Sequence, residues 1–371
     1  MNNNEIKNDT NTYTCIGVII PVYNGEKYLQ EAVYSVLSQE CKDLIVVIIN
    51  DGSKDNSLAI AEQIAAEDSR VYVLNQKNQG VSVARNNGIE FLLKKNVKYI
   101  AFLDSDDVWC DGFYTEDLKD TFLSNKSDVF HFSWFYGNES LSKGKLNKAE
   151  SAEFCGYELS PWEGHFCSHI FNAALFADFD VCFPEGIKLN EDVVFLFYII
   201  AFSKKMVVID RNSFIYRSNA SSVVHSKKKM SIAYFESVIP SWYWLMDKMS
   251  NIDNNEAVKY RKSQCLTMIK TYLCEYIKEA IKNGEPLKEI EENIKNSKYI
   301  YLFNDPDVWV DNSCLEFWNA FHKKPSWVWI KTRIYSIIFN TARKYLRNNK
   351  FIQKRRYNID LSAYYTKQQL P

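Results

Sequence analysis

Short apolar runs alternate with helix-periodic segments over the first hundred residues. Residues 15–22 form an apolar, β-branched run with Pro21 near its end, the pattern of a buried strand. Between residues 27 and 39, Tyr28, Leu29, Ala32, Val33, Val36 and Leu37 recur at three- and four-residue steps, which predicts an amphipathic helix. Residues 44–49 repeat the buried-strand pattern and stop at Asn50-Asp51-Gly52-Ser53, a turn by composition. Asp55 and Asn56 stand where a cap is needed for a helix running to about Glu67. Residues 71–74, 81–93 and 99–103 continue as strand, helix and strand, and the last runs into Asp104-Ser105-Asp106-Asp107.

This alternation predicts an α/β fold with a mostly parallel sheet covered on both faces. Ligands of such sheets sit outside the carboxyl ends of the strands. Pro21-Val22-Tyr23-Asn24, Asn50-Asp51-Gly52-Ser53 and Asp104-Ser105-Asp106-Asp107 are polar clusters at three such ends, so topology alone places a crevice there. Beyond Asp111 the alternation fades. A strand is expected over 129–135, a mixed apolar segment over 166–176, an apolar helix over 193–202 opened by Asn190-Glu191-Asp192, and two short strands over 206–209 and 214–217. From about Met230 the pattern is helical, with breaks near 250–255 and 283–286, and a boundary is expected at Lys227-Lys228-Lys229.

The chain of 371 residues is long enough for about two domains. With 46% hydrophobic and 25% charged residues it is not a disordered chain. A formal net charge of -1 gives no field directed at nucleic acid. Nine scattered cysteines, an odd count with no CxxC pair, point to reduced thiols in a cytoplasm and not to a disulfide frame or zinc ribbon. The polar, Asn-rich residues 1–14 lack the apolar core of a signal peptide and are expected to be disordered. No run approaches the ~18 apolar residues of a membrane span. Neither GxxxxGK[ST] nor a GxGxxG after a strand is present, which excludes a P-loop kinase and a dinucleotide enzyme.

Several carboxylates at one strand end are costly to ionise together without a cation, and their hard oxygens suit Mg²⁺ or Mn²⁺. An ion there would bridge a diphosphate; the competing reading of Asp104–Asp107 is a solvated acidic turn. Asp51 is placed to accept a hydrogen bond from a base ring N–H, or to form an Asx turn before Gly52. Asp192 stands at a helix start, where the dipole favours negative charge, and can take a proton from an attacking hydroxyl or merely stabilise the helix.

These motifs occur in order. Together with Asn78-Gln79-Gly80-Val81-Ser82-Val83-Ala84-Arg85-Asn86-Asn87-Gly88, they resemble family 2 glycosyltransferases of the GT-A fold, of the bacterial cell-surface polysaccharide type, from Cys15 to about Ser226. The resemblance implies an inverting transferase that moves a sugar from a nucleotide-diphosphate sugar, of UDP type, to a hydroxyl of a glycan or lipid-linked acceptor. It implies that Pro21 and Tyr23 line the nucleoside pocket, Asp51 reads the base, Arg85 holds the nucleotide and Asp104 contacts the ribose. Asp106 would hold Mn²⁺ or Mg²⁺, with His225 as a further ligand or else a surface histidine, and Asp192 would be the general base. On this basis residues 15–110 are the nucleotide-sugar half, 111–229 the acceptor half, and 230–371 a helical C-terminal region.

Pro161-Trp162-Glu163-Gly164-His165 departs from the family pattern and leaves the acceptor open. His165 and His169, spaced to share one helix face, are read as structural. Two rivals remain: a haloacid-dehalogenase-type phosphatase, whose nucleophile loop Asp104-Ser105-Asp106-Asp107-Val108 resembles, and a silent carbohydrate-binding module. The first leaves the preceding hundred residues without a role, and intact Asp104, Asp106 and Asp192 argue against the second. Last, residues 323–359 contain no Asp or Glu, and over 326–345 Trp327, Ile330, Ile334, Ile338, Ala342 and Tyr345 recur on one helix side. That stretch either lies on an anionic membrane surface, making the protein peripheral at the inner face of the cell membrane, or packs on the catalytic domain.

Overall fold

In a computed structural model the chain divides into two compact units, Met1–Lys227 with Glu236–Cys265, and Lys228–Phe235 with Leu266–Pro371. The structure describes residues 14–136, 153–154, 165–217, 232–250, 256–296 and 328. The N-terminal segment, His225 and the basic stretch 329–345 lie outside the described residues, as does the expected break at 251–255.

The first unit is built on one mixed sheet, in which nine strands are described. Its strands are β1 (Ile16–Val22), β2 (Leu44–Asp51), β3 (Val71–Gln76), β4 (Tyr99–Phe102), β5 (Val108–Trp109), β6 (Val129–Tyr136), β7 (Glu153–Phe154), β8 (His169–Asn172) and β9 (Met206–Tyr216). The order is β3-β2-β1-β4-β8-β6-β9-β5, with β7 also on β9. β3, β2, β1 and β4 are parallel, and so is the β6–β9 pair, whereas β8, β5 and β7 run antiparallel to their neighbours. All seven residues of β1 and all four of β4 are buried, as central strands covered on both faces must be.

Helices α1 (Leu29–Leu37), α2 (Ser57–Glu67) and α3 (Val81–Lys94) are the crossovers. α1 buries Leu29, Ala32, Val33, Val36 and Leu37, the periodic face expected from sequence. The side chain of Asp55 opens α2, accepting from the Ser57 N–H at 3.0 Å, while Asn56 makes no capping bond. α3 packs close to β1 because Gly88 has no side chain: a Cβ there would stand 2.7 Å from Ile19. This close approach fixes the height of Arg85, one turn earlier, over the end of the sheet.

Three elements differ from expectation. β9 is one eleven-residue strand and not two. Asp210 faces solvent in its middle, and register shifts at Phe132/Ser133 and Ser133/Phe135 let it stay paired with β6 across that polar stretch. The apolar segment after His165 is a 3-10 turn (Phe166–Ser168), then β8, then α5 (Ala174–Phe179), so His165 and His169 do not share a helix face. Finally, α4 (Glu116–Asn125) was not foreseen. Thr115 caps it by accepting from the Leu118 N–H at 3.3 Å, and Glu116 and Asp117 favour its first turn.

The centre of the unit is aromatic. Phe102 of β4 has Phe166, Phe171, Phe176, Phe183 and Phe195 around it at 5.4 to 6.4 Å, and Phe183 stacks on Phe195 at 3.7 Å. Phe195 belongs to α6 (Glu191–Phe202), and α7 (Ile232–Ser250) sets Trp242 against Phe197 at 5.4 Å. α8 (Glu256–Asn283), which belongs to the second unit from Leu266 onward, ends at Gly284, whose φ of 82° permits the turn into α9 (Leu287–Asn296). Among the described residues no helix is long and apolar enough to cross a membrane.

Candidate active site

Strand order reverses between β1 and β4, since β2 and β3 extend from the other flank of β1. The crevice outside the carboxyl ends of these two strands is where an α/β sheet binds ligands. Pro21 is buried in β1 opposite Ile49, while Tyr23, just past the strand, is 48% exposed at the rim. Asn24 adopts φ 53° and zips the β1 loop to the β2 loop, donating from N–H to Ser53 Oγ at 3.0 Å and accepting from the Lys54 N–H at 2.8 Å.

Asp51 ends β2 and is buried. Its carboxylate accepts from Gln76 Nε2 and the Gln79 N–H, both at 2.8 Å, and from the Gly80 N–H at 2.9 Å. Three of its roughly four acceptor positions are therefore spent on the loop that starts α3. Gly52 serves the same junction: with φ 68° and a Cβ position only 2.7 Å from the Asn78 nitrogen, no other residue fits without strain.

The Arg85-Asn86-Asn87 run on α3 sends each side chain to a different element. Asn87 donates to Gln76 at 2.6 Å, and Asn86 pairs with the backbone of Phe183 in both directions. Arg85 is buried and donates to Asp104 at 2.8 Å and to Glu191 at 3.2 Å, with its guanidinium 4.4 Å from the Phe166 ring centre and 5.1 Å from that of Phe183. Burial works against its charge, but the two carboxylates outweigh burial and raise its pKa further.

Asp104 and Asp106 are partly exposed at the end of β4, and the Asp107 N–H closes a turn onto the Asp104 carbonyl at 3.0 Å. Asp107 is buried. One of its oxygens accepts from the Arg217 N–H at 2.8 Å, which fastens the end of β9 to this loop; the other has no hydrogen-bond partner. Burial, helped by the charge of Asp104, pushes the Asp107 carboxyl up to about 8. Glu191 and Asp192 open α6. Burial and the neighbouring Asp192 raise Glu191, with Arg85 pulling the other way, and Asp192 accepts from the Val193 N–H at 2.8 Å. The structure thus brings Arg85, Asp104 and Glu191-Asp192 together.

One residue read as structural from sequence stands beside this cluster. His165 precedes the 3-10 turn and feels the charges of Asp104, Asp192, Arg85 and Asp106, while burial holds its pKa below the usual value. Only the long-range pairing of β8 with β4 and β6 carries it there, so no local signal marked it. His169, on β8, is buried and joined to the His165 carbonyl at 3.1 Å. The donor set at the end of β4 is carboxylate oxygen, suited to Mg²⁺ or Mn²⁺. Among the described residues no three His, Cys, Asp or Glu side chains are gathered as a metal cage.

Residues 17–183 match the family model "Glycosyl transferase family 2". EpsJ of Bacillus subtilis, described as an uncharacterized glycosyltransferase, is 27% identical over 226 residues, which is 56% of this chain and 62% of that protein. The minor teichoic acid biosynthesis protein GgaB of Bacillus subtilis is 28% identical over 244 residues, 63% of this chain and 26% of that protein. The chain therefore spans less than two thirds of either relative. The crystal structure of S. aureus TarS 1-349 in complex with UDP-GlcNAc superimposes with a TM-score of 0.58 at 20% identity, covering 76% of this chain and 79% of that one. The family-model match, from residue 17, takes in nearly all of β1 and the whole of β2 to β4 and α1 to α3, the stretch that the phosphatase alternative leaves without a role. The sheet is that of the GT-A fold, and residues 17–183 resemble the glycosyl transferase family 2 model.

Proposed function

We propose that the chain transfers a sugar from a nucleotide-diphosphate sugar, of UDP type, to a hydroxyl of a glycan or lipid-linked acceptor in cell-surface polymer synthesis, with inversion. The observation that carries this reading is the Asp104–Arg85–Glu191 bridge, which ties the carboxylates at the end of β4 to the start of α6, where Asp192 sits. Asp192 takes the acceptor proton as the hydroxyl attacks the anomeric carbon from the face opposite the leaving group. Asp104 contacts the ribose, and Pro21, Tyr23 and the loop held by Asp51 bound the nucleoside. Arg85, enclosed by its partners, acts by positioning Asp104 and α6. Asp106 would hold a divalent cation, which when bound would supply charge neutralisation for the departing diphosphate. The relation to a teichoic acid biosynthesis protein supports a cell-surface acceptor. The basic stretch beyond residue 323 is proposed to dock the protein on an anionic membrane, which liposome co-sedimentation of the full chain at low and high salt tests.

The deciding experiment is hydrolysis of a panel of nucleotide sugars by the full chain, with Mn²⁺ and with chelator. Turnover of one or more UDP-sugars that stops with chelator is expected. No turnover and no binding of any nucleotide sugar by the folded protein would overturn the proposal.

A further inference from the structure

Three aromatic rings from separate elements meet next to the carboxylates, and none belongs to the motifs that carry the family resemblance. Trp134 lies near the end of β6, His165 before the 3-10 turn, and Tyr216 at the end of β9. The His165 ring centre is 5.3 Å from Tyr216 and 5.8 Å from Trp134, and Trp134 lies 6.1 Å from Tyr216. Beneath them Phe214 is fully buried, 5.9 Å from Trp134 with the planes nearly parallel, and 5.3 Å from His165. Trp134, His165 and Tyr216 are each half-buried, unlike the fully packed Phe102 cluster.

The patch has direction as well as surface. The His165 ring is 5.7 Å from that of Phe166, which lies 4.4 Å from the guanidinium of Arg85, the residue bound to Asp104 and Glu191, so the rings border the carboxylate cluster. The Cys167 N–H points at His165 Nδ1 at 3.4 Å. An amide N–H can only donate, so Nδ1 is the acceptor and the proton of the neutral ring is on Nε2. The opposite edge of the imidazole is thereby a fixed donor.

A pyranose ring matches this surface. One of its faces presents C–H groups, which pack on the negative face of an aromatic ring, and its rim carries hydroxyls that accept a directed N–H. We propose that Trp134, His165 and Tyr216 form a subsite for a pyranose ring, packed on the indole with the Tyr216 ring standing at 75° to it along one side of the sugar, and held at one hydroxyl by His165 Nε2–H. The inference rests on the proposed glycosyltransferase reading. The pyranose is that of the donor or that of the acceptor, and the test separates the two.

Titration calorimetry on the full chain gives the affinities for UDP, UDP-glucose and UDP-N-acetylglucosamine. Saturation-transfer NMR follows methyl β-glucopyranoside in the presence of UDP. Trp134→Leu keeps apolar bulk but removes the aromatic face, and His165→Phe keeps a ring but removes the donor. For a donor pyranose, each variant lowers the UDP-sugar to UDP affinity ratio by roughly two- to tenfold, the scale of one aromatic contact, with UDP binding unchanged. Trp134→Phe should restore most of that ratio. For an acceptor pyranose, the ratio stays and the methyl glucoside signal is lost. Native values of both readouts in variants that melt like the native protein would overturn the subsite. A native chain that binds neither UDP nor any UDP-sugar would refute the underlying reading instead, and the subsite with it.

Discussion

Arg85→Met removes a cation that bridges two carboxylates, Asp104 at the end of β4 and Glu191 at the start of α6. The side chain is 4% exposed, with bonds of 2.8 Å to Asp104 and 3.2 Å to Glu191. Removing one partner of a buried pair costs about 3 to 5 kcal/mol because a charge is left without compensation. Two features reduce that here. Asp104 is 28% exposed and regains water, and loss of Arg85 removes the pull that opposes the upward shift of the Glu191 carboxyl by burial and Asp192, which favours its neutral form. The expected loss is therefore at the lower end, about 3 kcal/mol, a fall in melting temperature of roughly 6 to 10 °C for a unit of this size. Calorimetric melting of the full chain at pH 7 measures it. Arg85→Lys, a single ammonium, reaches one carboxylate and should fall between. Adding Glu191→Gln to Arg85→Met removes the stranded acid and should recover about 1 to 2 kcal/mol. If Arg85→Met melts within about 1 °C of the native chain, or if the two substitutions add independently, the bridge is not what holds α6 to the end of β4.

Asp106→Ala should abolish chelator-sensitive turnover and leave melting unchanged, since the side chain is at the surface of a strand end; turnover retained in metal-free buffer contradicts the metal assignment. Asp192→Asn keeps shape but accepts no proton, so donor affinity should persist while transfer falls roughly 100-fold or more, and lost affinity with unchanged turnover would exclude it as the base. For Asp51→Ala, three donors of the 76–80 loop lose their acceptor, so weaker UDP binding should come with faster hydrogen exchange at Gln79 and Gly80; weaker binding with unchanged exchange would mean direct contact with the base alone. His131, stacked at 4.4 Å on His169, is held by burial at about 4, below the ordinary 6.5. The folded state then binds fewer protons than the unfolded one between these values, so stability is present above 6.5 and is lost as pH falls through the window. The His131 share of the loss from pH 7 to pH 5 should be about 2 kcal/mol, and His131→Leu should remove that share from the urea midpoint while the share of His169, which burial also holds below its ordinary value, remains; an equal acid loss in the variant would refute the assignment.

The sequence by itself determined the elements whose pattern is local. β1, β2 and β4 are buried on both faces and so read as continuous apolar runs, α1 shows its buried face in the spacing from Leu29 to Leu37, and α6 is apolar from Val193 onward. The ordered motifs also disclosed the family and the strand ends that make the crevice, because turn chemistry at the end of a strand is local too. Tertiary structure decided what those residues touch. Arg85 meets Glu191 across 106 residues only because α3 descends onto β1 at Gly88 while β8, running antiparallel beside β4, returns the chain to the same edge. His165 illustrates the limit: its four-residue spacing from His169 suits a helix face, but the chain from His169 pairs as β8 with β4 and β6, and the His165 ring came to rest against Phe166, beside the Arg85 that holds the carboxylates. β9 was divided by its polar centre in the sequence and made continuous by β6, whose bulges absorb the mismatch. Local pattern records which side of an element is apolar, whereas the neighbour that covers that side is set by sheet order, which no window of sequence contains.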